Sequence, residues 1–296
     1  MSQKTNRIAI VTGANTGLGY ETSRALAKEG LTVILACRNS DKAEKAKRKI
    51  LDENPKADLE YLHLDLADFA SVRAFAENFQ SKYDRLDLLI NNAGVMMPPF
   101  KETEQGYELQ WGVNYLGHFL LTKLLFELLK GKQDSRIIQL SSLAHKWGNP
   151  SAFESPLTES NYDKQKAYGN SKLACLVFAM ELDRRLRERG LKTKSLAAHP
   201  GVADTELSRY LPKWMRFLSP LFMLFVAQSA GAGAQPTLKA ATDGRLAGGA
   251  YLGPGGFKEY KGEAKVVEPH PKAIDPEVGK KLWKASEEQV GTSFAV

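Results

Sequence analysis

The chain has 296 residues, of which 43% are hydrophobic and 25% charged, a composition that excludes wholesale disorder. The net charge is +7, but no block of basic residues interleaved with aromatic residues occurs, so nucleic acid is not an expected partner. The two cysteines form no Cys-x-x-Cys pair and the five histidines show no zinc-binding spacing. We therefore expect no metal and no disulfide framework. Because no secretory hydrophobic stretch precedes the first strand, we also expect a cytoplasmic protein.

The first predicted unit is a strand, a glycine turn and a helix. Residues 8–11 are apolar throughout, as in a strand that is buried on both faces of a parallel sheet. Glycines at 13, 17 and 19 follow, and apolar residues then recur at helical spacing. Such a turn presents backbone N–H groups and a helix N-terminus, which can bind a phosphate. The Gly-x-x-x-Gly-x-Gly spacing departs from the common Gly-x-Gly-x-x-Gly, so a plain tight turn remains an alternative.

Further strands alternate with helices along the rest of the chain. Strands are predicted at 31–37, 58–64, 87–90, 136–140 and 192–198. Helices are predicted over 40–53, 68–82, 104–130 and 161–189. Ser40 or Asp41 is expected to cap the first of these four helices. The alternation predicts an α/β fold, a single doubly wound parallel sheet of Rossmann type with about seven strands and helices on both faces, forming one domain over residues 1–296.

Two segments fall outside this alternation. Residues 147–158 form a polar insert between a strand and its helix. Residues 204–228 are rich in apolar side chains but are interrupted by Arg216 and Pro220, and their longest apolar run is about half the ~20 residues of a membrane span. This second segment is an amphipathic helix on the core, a lid over an apolar substrate pocket, or a contact with a membrane surface.

The chain ends with a predicted helix near 275–290. Asp275 is the expected N-cap, and Pro276 stands at the first helical position, where its missing N–H is not needed. Gly291 is the expected terminator. We interpret this helix as structural.

Polar or glycine-rich residues follow almost every predicted strand. In an open parallel sheet, ligands bind outside these carboxyl ends. The residues at the ends are the glycine turn, Cys37-Arg38-Asn39, Asp65, Asn91-Asn92-Ala93-Gly94, Ser141-Ser142 and His199-Pro200-Gly201. His145 and His199 also lie near strand ends and are weaker candidates for substrate contact.

Arg38 bears on the kind of ligand. Dinucleotide-binding folds usually carry Asp or Glu at the end of the second strand, where it binds the ribose 2′-hydroxyl. Here Cys37 takes that place and Arg38 follows it. A guanidinium matches a 2′-phosphate in charge and in bidentate geometry, so NADP is favoured over NAD. The alternative is an exposed arginine that contacts no ligand.

Tyr168 and Lys172 are four residues apart on one predicted helix, so their side chains share a face. An ammonium group near a phenol favours the ionised form of the phenol, which makes it a usable general acid or base. Taken alone, Tyr-x-x-x-Lys is frequent by chance.

Together these motifs resemble the short-chain dehydrogenase/reductase family, over about residues 6–255. The residues that carry the resemblance stand in the family's order: Thr12–Gly19 (TGANTGLG), Asn91–Gly94 (NNAG), Asn114, Ser141-Ser142, Tyr168–Lys172 (YGNSK) and Pro200-Gly201. The segments NNAGVMMPPF, GVNYLGHFLLTKLL, SSLAH and HPGVADTEL are similar to the retinol-dehydrogenase-like branch. The resemblance implies hydride transfer between NADP(H) and a carbonyl/alcohol pair on an apolar small molecule.

The resemblance also implies a catalytic tetrad. Tyr168 would give or take the proton at the substrate oxygen, and Lys172 would assist it and bind the nicotinamide ribose. Ser142 would hold the substrate carbonyl, and Asn114 would support a water chain to Lys172. The insert at 147–158 lengthens the gap between Ser142 and Tyr168 beyond that of most members, which affects the expected rim of the pocket and not the tetrad.

The implied cofactor contacts extend over the strand ends. Asp65 would contact the adenine, Asn91 would line the cleft, and Thr205 would reach the nicotinamide amide. The full set is Gly13, Asn15, Thr16, Gly17, Leu18, Gly19, Arg38, Asn39, Asp65, Leu66, Asn91, Ala93, Gly94, Tyr168, Lys172, Pro200, Gly201, Val202 and Thr205.

Two other functions stay open at this point. One is reduction of a C=C bond with the same cofactor site, and the other is a non-catalytic dinucleotide-binding regulatory module. The sequence does not identify the substrate or the direction of the reaction. It is compatible with a monomer or a homodimer, and with weak association with a membrane surface.

Overall fold

The computed structural model describes residues 7–130, 132–155, 157–203 and 228–296. Within them, eight strands form one sheet in the order β3-β2-β1-β4-β5-β6-β7-β8. The strands are β1 Ile8–Thr12, β2 Thr32–Cys37, β3 Asp58–His63, β4 Leu88–Asn91, β5 Arg136–Leu140, β6 Lys194–Ala198, β7 Tyr251–Pro254 and β8 Ala264–Val266. Strands β1 to β7 are parallel, and β8 pairs antiparallel with β7. About seven strands were expected, and the eighth is too short, at three residues, to show a period in the sequence.

Helices cover both faces of this sheet. They are α1 Gly17–Lys28, α2 Ser40–Glu53, α3 Phe69–Lys82, α4 Leu109–Trp111, α5 Gly117–Leu129, α6 Lys164–Glu188, α7 Ala230–Thr242, α8 Pro271–Ile274 and α9 Pro276–Val290. In β1, Ile10 packs into the core on the side of α3, α5 and α6, and Val11 packs into the core on the side of α1, α2 and α7. The continuous apolar run of β1 is therefore explained by burial on both faces, and the doubly wound α/β fold is confirmed.

The cap of α2 differs from the expectation. Asn39, with an extended backbone, is the N-cap, and its side-chain oxygen accepts from the Lys42 N–H at 2.8 Å. The prediction of Ser40 or Asp41 as the cap was wrong because Ser40 is already the first helical residue, so the capping position falls on Asn39.

The helix expected over 104–130 is interrupted near its start. It begins at Leu109, continues as a π-helical stretch over Gly112–Leu116, and becomes α5 at Gly117. A Cβ at Gly117 would lie 2.6 Å from the Leu66 carbonyl oxygen, so glycine permits this close approach. Asn114 lies at the centre of the π stretch, a feature that is frequent at functional sites.

The C-terminal helix has the caps that the sequence indicates. The Asp275 carboxylate accepts from the Glu277 N–H at 2.9 Å, Pro276 is the first helical residue, and Gly291 has φ 67°. On the inner face of α9, the Trp283 ring lies under the Arg185 guanidinium, 4.0 Å from the ring centroid. The helix therefore packs on α6.

The polar insert is anchored by one apolar side chain. Short 3₁₀ turns form at Leu143–Trp147, Pro150–Phe153 and Glu159–Asn161. Phe153 is fully buried and stacks on Trp111 with ring centroids 5.8 Å apart. Of the apolar segment predicted at 204–228, all but Gln228 lies outside the described residues. No helix in the described part of the chain combines the length and apolarity needed to span a membrane.

Candidate active site

The glycine turn forms a narrow cradle at the end of β1. Gly13 and Gly17 have φ of 65° and 53°, in the left-handed region that favours glycine. A Cβ on Gly19 would lie 2.3 Å from the Gly13 carbonyl oxygen, so no larger residue fits there. The N-cap of α1, Thr16, makes no side-chain cap hydrogen bond. The Thr16 side chain therefore does not bond the N–H groups in the first turn of α1. A phosphate that binds at a helix N-terminus accepts from such N–H groups.

This cradle is one wall of a cavity of about 630 Å³, a volume within the range of small-molecule and cofactor sites. Twelve of the predicted cofactor residues line it: Gly13, Asn15, Thr16, Gly17, Leu18, Gly19, Arg38, Asn39, Asp65, Leu66, Ala93 and Gly94. The phosphate cradle at one wall and the basic side chains near β2 fit an elongated anionic ligand such as a dinucleotide.

Asn91 is not on the wall of this cavity. It is 2% exposed, and its side-chain amide donates to the Thr122 hydroxyl at 2.9 Å, on the α5 side of the sheet. Side chains alternate along β4, so Asn91 shares the face of Leu89, which packs into the core with α5. Asn92, which follows the strand, lines the cavity instead. Strand parity was the signal that could have distinguished the two asparagines.

Of the predicted residues beyond β6, those that the structure describes do not line this cavity either. Pro200, Gly201 and Val202 are partly buried and are not part of the cavity lining in the described structure. Thr205 lies outside the described residues.

Arg38 lies at the end of the cavity next to β2. Its side chain is 71% exposed, and one guanidinium nitrogen is 3.7 Å from the Asp65 carboxylate. Lys42, on the first turn of α2, lines the same end. Cys37 lies beneath the glycine turn, and burial raises the pKa of its thiol to about 12. Hydrogen bonds from the N–H groups of Ala14 and Asn15 lower this pKa, but by less than burial raises it. The residue at the end of β2 is therefore a neutral thiol, and no negative charge at this position opposes an anion.

Tyr168 and Lys172 lie side by side on α6. They are 6% and 4% exposed, and the Lys172 Nζ is 5.9 Å from the centroid of the Tyr168 ring. The same Nζ donates to the Leu140 carbonyl at 2.9 Å, and Leu140 lines the cavity. A Cβ on Gly94 would lie 3.4 Å from Lys172 Nζ and 3.2 Å from Asn114 Oδ1. Three members of the expected tetrad therefore lie close together; none of them lines the cavity itself, but Lys172 and Asn114 approach Gly94, which does.

Asn114 cross-links the turn after β4 to α6. Its Oδ1 accepts from the Val95 N–H at 2.7 Å, and its Nδ2 donates to Val95 O at 3.0 Å and to Ser171 Oγ at 2.9 Å. Its main-chain carbonyl accepts from His118 Nδ1 at 3.0 Å and from Cys175 Sγ at 3.2 Å. Both amide hydrogens of Asn114 are donated within the protein, so this side chain fixes the turn at Val95 to α6 at Ser171. The expected support of a water chain stays a prediction.

The two serines after β5 differ in their surroundings. Ser141 is buried, and its hydroxyl donates to the Lys172 carbonyl at 2.8 Å. Ser142 is partly exposed, and its hydroxyl oxygen accepts from the Ala144 N–H at 3.2 Å. Within the described residues, no protein acceptor holds the Ser142 hydroxyl hydrogen. Of the pair, Ser142 therefore has a donor to offer to a substrate.

His145 is buried behind Ser142. Its Nδ1 lies 2.6 Å from the Ser142 carbonyl, and burial lowers the pKa of its imidazole to about 4. The hydrogen bond between this ring and Ser142 fixes the chain after β5. Because the ring is only 1% exposed, it presents almost no surface to a substrate.

His199 is fully buried at the end of β6 and organises the turn that follows. The Gly201 N–H donates to its Nδ1 at 3.2 Å, so Nε2 carries the hydrogen and donates to the Glu259 carboxylate at 2.9 Å. The Val202 N–H donates to the Tyr260 carbonyl at 2.8 Å. Sequence reasoning missed Glu259 and Tyr260 because they stand about 60 residues from their partners, with no motif to signal them.

Comparison with known proteins places these motifs in one family. The model of the short chain dehydrogenase family matches residues 7–216. Retinol dehydrogenase 13 from Homo sapiens is 43% identical over 292 residues, covering 96% of this chain and 85% of that protein. Retinol dehydrogenase 11 from Mus musculus is 47% identical over 236 residues, covering 80% and 73%. The solved structure of an uncharacterized protein from Mycobacterium paratuberculosis superposes with a TM-score of 0.78 at 36% identity, covering 98% of this chain and 95% of that one.

The matched region contains the glycine cradle, the turn after β4, Asn114, the serine pair and the Tyr168/Lys172 pair. The relatives share a name that describes an oxidoreductase. This chain belongs to the short-chain dehydrogenase family, in its retinol-dehydrogenase-like branch, and is an oxidoreductase of a family that binds a nicotinamide dinucleotide.

Proposed function

We propose that this protein is an NADP(H)-dependent oxidoreductase that interconverts a carbonyl and an alcohol on an apolar small molecule. The observation that carries the proposal is the pairing of Tyr168 with Lys172. Both side chains are less than a tenth exposed, and the ammonium is 5.9 Å from the phenol ring. The pair lies beside the cavity wall at Gly94 and Leu140, and it supplies a proton donor and a charge that stabilises the conjugate base of that donor.

The residues divide the chemistry with the cofactor. A bound nicotinamide supplies a hydride in reduction and accepts one in oxidation. Tyr168 gives its phenol proton to the substrate oxygen in reduction and takes a proton from the alcohol in oxidation. Lys172 stabilises the phenolate by its positive charge, which burial leaves weakly screened. The Ser142 hydroxyl donates a hydrogen bond to the substrate oxygen and orients it.

NADP is the proposed form of the cofactor. The end of the cavity near β2 carries Arg38 and Lys42, and the buried thiol of Cys37 is neutral. These positive charges attract the 2′-phosphate of NADP. The end of β2 lacks the carboxylate that usually binds the free ribose 2′-hydroxyl of NAD. The Asp65 carboxylate lies near Arg38 and partly balances its charge.

An apolar substrate is supported by two observations. Beside the start of α6 is a cleft of about 340 Å³, lined by Met97, Pro98, Pro99, Phe100, Tyr162 and Lys164. Lys164 stands one helical turn before Tyr168, so this cleft lies on the approach to the proposed acid/base group. The similar proteins are named for retinol, an apolar alcohol.

A screen of aldehydes and ketones with NADPH, followed by absorbance, tests the proposal. We expect Tyr168→Phe to lower kcat by about 10²- to 10⁴-fold, the usual contribution of a positioned acid/base group. Tyr61→Phe, which removes an exposed phenol hydroxyl on β3, is the matched control and leaves kcat unchanged. Robust turnover by Tyr168→Phe would contradict the assigned role.

The same screen separates the alternatives. An enone substrate distinguishes carbonyl from C=C reduction, because the first yields an unsaturated alcohol and the second a saturated ketone. NADPH binding without turnover of any of a chemically diverse set of carbonyls would indicate a non-catalytic module instead.

A further inference from the structure

His118 is a buried histidine with no part in the proposed chemistry. It stands in the first turn of α5 and is 1% exposed. Its Nε2 lies 2.8 Å from the Thr12 hydroxyl, at the end of β1, and its Nδ1 lies 3.0 Å from the Asn114 carbonyl. One ring therefore connects the strand that precedes the glycine turn with the π stretch that carries Asn114.

The direction of these two hydrogen bonds follows from the chemistry of the partners. The Asn114 carbonyl can only accept, so Nδ1 carries the hydrogen. Burial lowers the pKa of His118 to about 4, and the positive charge of Lys172 acts in the same direction, so the ring is neutral near pH 7. Nε2 therefore accepts from the Thr12 hydroxyl at 2.8 Å, a shorter contact than the 3.3 Å from that hydroxyl to Ile90 O.

With its hydrogen committed to His118, the Thr12 oxygen holds the turn after β4. The N–H groups of Asn92 and Ala93 both donate to it at 2.9 Å. The Asn92 side chain adds a bond of 2.7 Å to the Thr12 carbonyl. This turn leads to Gly94, and Asn92, Ala93 and Gly94 all line the cavity.

At the other end, the Asn114 carbonyl holds the π stretch in register. The amide of Asn114 reaches Val95 and Ser171, and the Ser171 hydroxyl donates to the Tyr168 carbonyl at 2.9 Å. The chain of contacts therefore runs from the strand before the glycine turn, through His118, to the helix that carries Tyr168 and Lys172.

We infer that His118 is a positioning residue, whose neutral imidazole sets the distance between the cofactor-binding turn after β4 and the Tyr168/Lys172 pair. The inference rests on the proposed function for its kinetic consequences. A phenylalanine would fill the same space in the core but would leave the Thr12 hydroxyl and the Asn114 carbonyl without this partner. The substitution therefore removes two buried hydrogen bonds and keeps the packing, so any change in NADPH binding comes from the lost hydrogen bonds.

The ring's protonation is the first test, and it needs no variant. In protein carrying ¹⁵N-labelled histidine, we expect two side chains, those of His118 and His145, to remain in the neutral Nδ1–H form from pH 8 to about pH 5, since burial disfavours the imidazolium and each Nδ1 donates to a carbonyl. The signal that is lost in His118→Phe is that of His118. An Nε2–H form of His118, or its titration near the ordinary value for histidine, would overturn the inference.

Variants then separate positioning from stability. We expect His118→Phe to weaken NADPH binding by about tenfold, because the turn after β4 loses the hydrogen bond that fixes the Thr12 hydroxyl. His118→Gln reaches Thr12 and restores NADPH binding more than His118→Asn, which approaches only the Asn114 carbonyl. The control is His63→Gln, which removes an exposed imidazole on β3.

Two outcomes decide the matter. If the NADPH affinity of His118→Phe equals that of wild type while only thermal stability falls, His118 is a packing residue and the inference fails. If wild-type protein binds NADPH but turns over no carbonyl, the proposed function fails separately, and the comparison of NADPH affinities still tests His118.

Discussion

At the scale of single residues, the cofactor preference depends on one exposed arginine. Arg38 stands where a 2′-phosphate is expected, with its nearest described charge partner, Asp65, 3.7 Å away. A pair at that distance with a 71% exposed guanidinium contributes little stability, so the side chain is available to a ligand. The sequence indicated this residue because the acid usual at the end of β2 is absent.

We expect Arg38→Ala to weaken NADPH binding by about 10- to 100-fold, the loss of one or two charge-assisted hydrogen bonds, and to leave NADH binding within about twofold. Arg48→Ala removes the same charge from an exposed position on α2 and serves as the control. The measurement is the dissociation constant of each nucleotide. Equal losses for NADPH and NADH would contradict the assignment to the 2′-phosphate.

At the scale of elements, the turn after β6 is held by the loop between β7 and β8. His199 bonds Glu259, and Gly201 approaches so closely that a Cβ there would lie 2.3 Å from the Tyr260 carbonyl oxygen. Glu259 has φ 60° and Lys258 has φ 48°, a strained pair of non-glycine residues. Gln228 adds bonds from its side chain to Pro200 O and from its N–H to Val202 O. The turn is therefore shaped by distant chain segments and not by its own sequence.

We expect Glu259→Ala to lower the free energy of unfolding by about 1–3 kcal/mol, because the buried N–H of His199 loses its acceptor. Glu259→Gln keeps an acceptor oxygen at that position and should lose clearly less. Urea denaturation at neutral pH measures both. Equal losses in the two variants would show that the hydrogen bond does not hold the turn.

At the scale of the whole molecule, buried neutral histidines make stability depend on pH. Burial lowers the pKa values of His118 and His145 to about 4, below the ordinary value for an unfolded chain of about 6.5. Between these values the unfolded chain binds protons that the folded chain does not. The stability that these two histidines contribute is therefore complete above about pH 6.5 and is lost as the pH falls toward 4.

We expect each of these histidines to contribute up to about 3 kcal/mol to that loss, the energy of a shift of about 2.5 pKa units. His145→Asn should reduce the fall in unfolding free energy between pH 7 and pH 4.5. Urea unfolding at a series of pH values provides the measurement. A slope unchanged in His145→Asn would contradict the assignment.

Local patterns in the sequence sufficed for much of the fold and for part of the candidate site. Apolar runs indicated most of the parallel strands, and β5 has the predicted bounds of 136–140. Asp275, Pro276 and Gly291 marked the last helix correctly because a cap and its target are neighbours in the chain. The glycines and Arg38 line the cavity because residues that follow parallel strands meet at one edge of the sheet.

The tertiary structure decided whatever depends on distant partners. Asn91 turned into the core and Asn92 toward the cavity because packing against α5 fixed the parity of β4. Thr12 meets His118 across 106 residues, and His199 meets Glu259 across 60. No local period signals such pairs. By itself the sequence determined the class of fold, the family's motifs and the chemical types at the strand ends, because these follow from near neighbours. Which side chains hold one another in place was decided by the fold, because a buried polar group takes its partner from whatever chain packs against it.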